Sequence, residues 1–523
     1  MSEIKEESRT KKSFLNARIN FIFYFLSIII NFFSRKIFLD TLGADFVGLT
    51  TTLQNLLGFL NLAELGVGTA IGYVLYKPLY EHNQLKINEV ISVMGYLYRI
   101  IGCLILLAGV IMSCFLPWIF PSDTTGFDLE LIYFAFYSFL TSSLIGYFIN
   151  YRQNLLSADQ RNYVVTAYFQ TAIIIKTLIQ LVSAWYTGSY YLWVVIELTF
   201  GIIHSIILNW KINQTYPWLA ANVKLGHRVF KKYPEVMKYT KQLFMHRLGM
   251  IVKFQAAPLL IYAYVSLQLV AFYGNYTMLT GKIGSLFQIF LSSTSAGIGN
   301  LVAEGNKEKI YRTYWELMAC RLWFVAIALY LMYVCVPPFI TLWLGKEYLL
   351  PNGLLVLILI EVFIGMLRGN TDQFLDAHGL FYDVWAPLAE SIIYIVSAVI
   401  AGYFFGIYGV IGGSIVSLII IICIWKPYFL FTKGFGVSVR KYWMNLTLYL
   451  GLAVIAFVVV HYFEHIVNAH FPKSESWINL IVNAAFSGIC MATLYFILIY
   501  CFTSGMRNFA KRIFYILAKK IGK

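Results

Sequence analysis

Apolar residues along this chain come in blocks of about twenty or more, the length that crosses a hydrocarbon core roughly 30 Å thick as an α-helix. Short polar segments separate the blocks. The pattern predicts fourteen spans, near residues 14–39, 46–76, 90–119, 129–150, 162–186, 190–211, 242–265, 268–300, 312–343, 350–371, 384–405, 408–431, 442–463 and 477–503. Several exceed the minimum length, as tilted or projecting helices do. The expected fold class is an all-α polytopic membrane protein.

Polar residues inside several spans recur at helical spacing. In the second span Thr50, Gln54, Asn61, Glu64 and Gly68 fall on one face. The eighth carries Asn275, Lys282, Ser285 and Ser292, and the fifth carries Thr166, Gln170, Thr177 and Gln180 with Lys176 at the stripe's edge. In the first span Asn20, Ser27, Asn31 and Arg35 line up, while Lys36 points about 100° away around the helix.

The chain also resembles itself. Sliding it by 223 places aligns Val47 with Val270, Gly58 with Gly281, Glu81 with Glu304, Asn83 with Asn306 and Lys86 with Lys309. Six spans separate the copies, so the repeat is parallel and its axis runs along the membrane normal. Residues 1–212 form an N-terminal lobe of six spans, 213–241 a basic linker and 242–431 a second six-span lobe. Residues 432–523 add two spans and a basic tail. Two pseudo-symmetric six-helix lobes of this kind are expected to enclose a central cavity.

Composition fits the pattern: 59% of the 523 residues are hydrophobic and 12% charged, against roughly a quarter charged in a soluble chain. Most of the 40 Lys and Arg fall in alternate loops and at the two ends, whereas the opposite loops hold only Lys346 and Lys473. The positive-inside rule places both termini and the linker in the cytoplasm. The net charge of +15 is thus mainly a topology signal and requires no nucleic-acid partner. The linker, "KINQTYPWLAANVKLGHRVFKKYPEVMKYTK" from Lys211, reads as a segment lying beside anionic headgroups. The N-terminal "MSEIKEESRTKKS" is polar, and no cleaved signal peptide is expected.

The basic residues singled out within the predicted spans are Arg35, Lys36, Arg99, Lys176, Arg247, Lys253, Lys282, Arg321 and Arg368. The carboxylates there are Glu64, Glu197, Glu361 and Glu390, with Glu316 near a boundary. Charge inside a membrane usually faces a bundle interior or a water-filled path. A surplus of cations suits an anionic ligand, above all phosphate, which takes charge-assisted bonds from Arg and Lys. Arg35, Arg99, Lys176, Lys253, Lys282 and Arg321 are therefore the candidate substrate-binding cations. For Lys176 and Lys282 the alternative is a buried ion pair. Arg99 and Arg321, 222 places apart, occupy nearly equivalent positions in the two halves, and for each the alternative is a pair with a carboxylate or a reach to the cytoplasmic interface. Arg247 and Arg368 lie near cytoplasmic ends and are expected to snorkel. Glu64, Glu361 and Glu390 are candidates for ion coupling or for pairing with nearby cations.

Other chemistry is discounted. The seven cysteines sit in apolar blocks without C-x-x-C spacing, so neither a disulfide framework nor a metal site is expected. "HYFEH", His461 to His465, matches an inverted zincin signature by chance, and no nucleotide-binding loop occurs. No cofactor is called for. "GYFFG", Gly402 to Gly406, is a small-xxx-small step that lets helices pack closely.

The stretch from Ser34 to Gly102 has a basic residue late in the first span, then "LG…VGL", "LNLAELGVGTAI" and "YKPL". It resembles the opening of bacterial oligosaccharide flippases, the O-antigen and capsule exporters of the polysaccharide transport family in the MOP superfamily. The resemblance implies a non-enzymatic transporter in the bacterial inner membrane that moves undecaprenyl-pyrophosphate-linked oligosaccharide to the outer leaflet by alternating access. It implies membrane lipids and a glycan polymerase or ligase as partners. It carries over one site residue, Arg35. Two competitors are a multidrug cation antiporter of the same superfamily, which would favour carboxylates, and a membrane-embedded glycan polymerase or ligase, which would display a larger outer loop than the one between Phe463 and Trp477.

Overall fold

The apolar blocks wind as helices throughout, and the described residues contain no strand. The structure is a computed structural model. It describes the backbone of residues 9–64, 66–121, 126–292, 295–380, 382–383, 385–470 and 476–521. Side chains are described for these except 9–14, 17, 62–63, 242–243, 245–254, 286–292, 295–296, 468–470 and 515–521. Two compact units divide between Ala271 and Phe272.

The first unit contains α1 (Arg9–Leu60), α2 (Val67–Tyr80), α3 (Gln84–Ser113), α4 (Leu129–Phe148), α5 (Asn162–Thr187), α6 (Tyr190–Thr215), α7 (Val223–Val229) and α8 (Pro234–Tyr264). The 52 residues of α1 are interrupted at Gly43, whose φ of 83° and ψ of 159° lie outside helical space. This break separates the first two predicted spans without a loop. Beyond it, Phe46 stacks on Tyr190 with centroids 4.5 Å apart and meets Trp193 edge-on, tying α1 to α6. Polar side chains join α6 to the turn after α4: Ser205 Oγ and Asn209 Nδ2 both donate to Asn150 Oδ1, at 2.7 and 2.9 Å. In lipid such bonds replace the missing hydrophobic drive between helices.

Helix α9 (Leu267–Ser292) crosses the division. The second unit continues with α10 (Ser295–Ala303), α11 (Lys307–Trp343), α12 (Asn352–Ala377), α13 (Trp385–Phe405), α14 (Ile407–Leu418), α15 (Arg440–His470), α16 (Trp477–Phe502) and α17 (Ser504–Ile521). After α14 the chain stays helical but widens to π-winding over Ile419–Trp425 and again over Leu430–Phe435, with an α-turn at Lys426–Phe429 between.

Among the described residues eleven helices are long and apolar enough to cross a membrane. The eleven omit the predicted second, seventh and eighth spans. The second is split: α1 gives way to a 3₁₀ turn at Asn61–Glu64, Gly66 takes φ 92°, and α2 begins at Val67. The seventh and eighth coincide with α8 and α9, many of whose side chains lie outside the described residues.

Two of the aligned segments share a local arrangement. Asn83 caps α3 by accepting from the Lys86 N–H at 3.0 Å, and Asn306 caps α11 by accepting from the Lys309 N–H at 3.0 Å. Lys86 pairs with Glu81 and Lys309 with Glu304. An Asn cap satisfies one of the first-turn amides that the helix leaves open.

The small-residue step works through its neighbours. Gly406, at φ 55°, forms the turn between α13 and α14, and a Cβ on Gly409 would collide with the Ala401 carbonyl and the Gly402 nitrogen. Backbone meets backbone there, so nothing flexible can give way. Gly409→Val is expected to destabilise the second unit by about 1–3 kcal/mol. Gly412→Val, which enters open space, should leave the detergent-solubilised melting temperature nearly unchanged. Equal melting temperatures for the two variants would refute the close approach.

Candidate functional site

The interruption between α1 and α2 gathers polar groups inside the first unit. Ser143 Oγ and Tyr147 Oη donate to Asn61 Oδ1 at 3.2 and 3.0 Å, and Tyr98 Oη donates to Glu64 Oε1. The two tyrosine rings meet at 5.5 Å. The single polar face expected from Thr50 to Gly68 does not form as a continuous helical stripe: the α-helix stops at Leu60, a 3₁₀ turn follows at Asn61–Glu64, and Gly66 at positive φ precedes the start of α2, so the positions beyond the break are re-aimed. Thr50 is buried and Gln54 exposed. What the break yields instead is a carboxylate and an amide held by two phenols. Helices broken at membrane depth are where transporters place substrate and coupling-ion sites.

Arg35 is half-buried and donates through Nη2 to the Ala271 carbonyl oxygen at 2.8 Å, while Lys36 is exposed. Lys176 lies within 2.6 Å of Glu197 Oε1, and Gln180 Nε2 donates to the other oxygen at 3.1 Å. The geometry at Lys176 is thus the ion pair, closed between α5 and α6. The helix α8 passes through Lys253, whose side chain lies outside the described residues, as does that of Arg247.

Arg99 and Arg321 occupy different environments, contrary to the equivalence expected from their spacing. Arg321 is 2% exposed, donates through Nη1 to the Met366 carbonyl at 3.0 Å and fills the space that Gly369 leaves on α12. Arg99 is exposed and faces α7, beside Lys224 and Arg228. No carboxylate lies within ion-pair distance of Arg321 among the described residues, and its Nε has no partner there.

In the second unit Lys282 is half-buried on α9. Glu361 accepts from Ser414 Oγ at 2.6 Å. Arg368 does not snorkel: its Nε lies 2.7 Å from Asp372 Oδ2 and its Nη1 3.4 Å from Glu390 Oε2. Lys426 bridges Asp372 and Asp383 at 3.5 and 3.3 Å. Sequence reasoning missed Lys426, Asp372 and Asp383. Lys426 follows an apolar run, Asp372 lies just past the predicted end of its span and Asp383 sits in a loop. The signal was available in Arg368 and Asp372, four places apart on one helix face. Glu464 of the "HYFEH" match accepts from Tyr330 Oη at 2.7 Å, a structural bond.

No family model matches the chain, and neither does any curated protein sequence. Solved structures do match. The lipid II flippase MurJ, in an inward closed conformation, superposes with a TM-score of 0.62 at 15% identity, covering 92% of this chain and 98% of that one. A multidrug resistance MATE family transporter of the MOP superfamily, inward-facing, gives 0.54 at 13% identity over 76% and 93%. The chain has the fold of these transporters. At such identities the likeness is one of fold.

The Lys176–Glu197 pair is open to a double-mutant cycle. Glu197→Gln strands a half-buried ammonium and should cost about 3 kcal/mol of stability, and Lys176→Met a similar amount, whereas the double variant should cost less than their sum. Melting of the detergent-solubilised protein measures this, and strict additivity would deny the coupling.

Proposed function

We propose that the chain is a flippase of the O-antigen and capsule class. It carries polyprenyl-pyrophosphate-linked oligosaccharide from the cytoplasmic to the outer leaflet of a bacterial inner membrane by alternating exposure of a cationic path. The observation that carries this reading is Arg321: a guanidinium buried within a span, held by a main-chain carbonyl, with no carboxylate at ion-pair distance among the described residues. An ion-exchanging pathway for cations has no use for such a charge, whereas a pyrophosphate is stabilised by it. Arg35, late in the first span, adds a second arginine bonded to a main-chain carbonyl. MurJ, whose fold is shared over nearly the whole length of both chains, is itself a lipid II flippase.

In this reading arginines and lysines hold the pyrophosphate, span polar groups solvate the sugars and the polyprenyl tail stays in lipid. Glu64, at the broken helix, couples an ion in this reading. Membrane lipids surround the protein on both sides, and a polymerase or ligase consumes the exported glycan. Both termini face the cytoplasm.

One observation favours a second reading. In the network of α12–α14 and its extension, three carboxylates (Asp372, Asp383, Glu390) outnumber two cations, Arg368 and Lys426, as in a cation antiporter.

Purified protein in liposomes distinguishes the two. A fluorescent short-chain polyprenyl-pyrophosphate sugar should change leaflets, and Arg35→Ala or Lys282→Ala should slow it about ten- to hundredfold, the worth of one charged hydrogen bond. Normal rates in both well-folded variants would defeat the cationic path. Efflux of a lipophilic cation with no movement of the lipid-linked sugar would establish the antiporter instead. Glu64→Gln should abolish the response to an imposed ion gradient while the passive rate persists.

A further inference from the structure

Two open grooves on the first unit share Arg99. One, of about 750 Å³, has Arg99 and Arg152 on one side and Lys224 and Arg228 of α7 on the other. The second, of about 620 Å³, shares Arg99, Lys224 and Arg228 and follows α3 past Ile100, Leu104 and Leu107. A recess of about 400 Å³ carries the track on from Leu104 and Leu107 to Ile111.

The wall that α7 provides is fastened in place. The Ala220 N–H donates to Asn88 Oδ1 at 2.7 Å, and the Asn222 N–H to Ser92 Oγ at 3.0 Å. Gly226 lies so close to α3 that a Cβ would strike the Ser92 carbonyl, and the His227 ring meets Tyr96 edge-on at 5.1 Å. The cations of α7 are thereby held opposite Arg99. No carboxylate lines either basic groove among the described residues. Arg152 donates to Asn213 Oδ1 at 3.1 Å, but its buried Nε has no partner there. Four like charges gathered without a counter-charge repel one another unless an anion sits among them.

The apolar track settles what kind of anion. Ile100, Leu104, Leu107 and Ile111 are 42%, 53%, 59% and 54% exposed and recur at helical spacing below Arg99. Arg99 to Ile111 is about 18 Å along the helix, against about 15 Å for one leaflet's half of the hydrocarbon core. A cationic end and an apolar track one leaflet long match a glycerophospholipid. A free phosphate leaves the track empty, and a polyprenyl tail far outruns it. We infer that the α3–α7 groove binds an anionic phospholipid of the leaflet on which the basic linker lies, its phosphate among Arg99, Arg152, Lys224 and Arg228 and an acyl chain along α3. Zwitterionic lipids bring an amine among the same cations and are disfavoured.

Native mass spectrometry of the full-length protein, titrated in detergent with phosphatidylglycerol or phosphatidylcholine, tests this. Phosphatidylglycerol should be retained preferentially. The variant Arg99→Gln/Lys224→Gln/Arg228→Gln should lose that preference roughly a hundredfold, and Arg99→Gln alone about fivefold. Lys231→Gln/Lys238→Gln/Lys241→Gln removes the same number of charges from the linker outside the groove and should leave it intact. Equal losses in the two triple variants would reduce the effect to net charge and overturn the site. No preference in the unaltered protein would also overturn it. Displacement by millimolar inorganic phosphate would make the occupant a soluble anion, and displacement by equimolar polyprenyl pyrophosphate would make it a transported lipid; either result overturns the phospholipid assignment. Should the triple variant fail to fold, the single Arg99→Gln decides: unchanged retention refutes the groove.

Discussion

A peptide group in hydrocarbon has no water to bond to, and leaving one unsatisfied costs several kilocalories per mole. Everything distinctive in this molecule follows from where that rule is kept and where it is relaxed. Along most of the chain it is kept by continuous helix. At Gly43, and again at Asn61–Glu64 and Gly66, the helix is interrupted, and around the second interruption side chains of α3 and α4 gather on Asn61 and Glu64. The polar cluster and the helix break are one feature, since the break opens the room that the cluster occupies.

The intramembrane charges divide in the same way. Lys176 with Glu197, and Arg368 and Lys426 with their carboxylates, close on themselves within one unit. Each such pair offsets its own desolvation and leaves little attraction for a ligand. Arg321 is different, because its neighbour is a main-chain dipole. A carbonyl stabilises a guanidinium without cancelling its charge, so the field of that cation still extends into its surroundings.

Much of this was legible in the sequence, and the limits have physical causes. The helical class and most span positions followed from block length. The recurring caps at Asn83 and Asn306 were visible as matched letters because capping depends on one side chain and its local backbone. The different exposures of Arg35 and Lys36 followed from helical geometry alone. The break at Asn61–Glu64 was not legible: its residues read as a regular stripe, and the unwinding depends on partners donated from Ser143, Tyr147 and Tyr98 far along the chain. Arg99 and Arg321 were aligned by spacing, but their fates rest on what packs opposite. For one it is the linker helix, and for the other the gap above Gly369.

The widened winding after α14 has a consequence for chain length. A π-turn holds an extra residue in the same axial rise, so Ile419–Trp425 and Leu430–Phe435 carry slack. Deleting one residue there lets the stretch rewind as α-helix with both flanks still in register. A deletion elsewhere in the same helix turns all that follows by about 100°. Because Lys426 lies between the two slack stretches, the ion bridge it makes to Asp372 and Asp383 is buffered against deletions from either side.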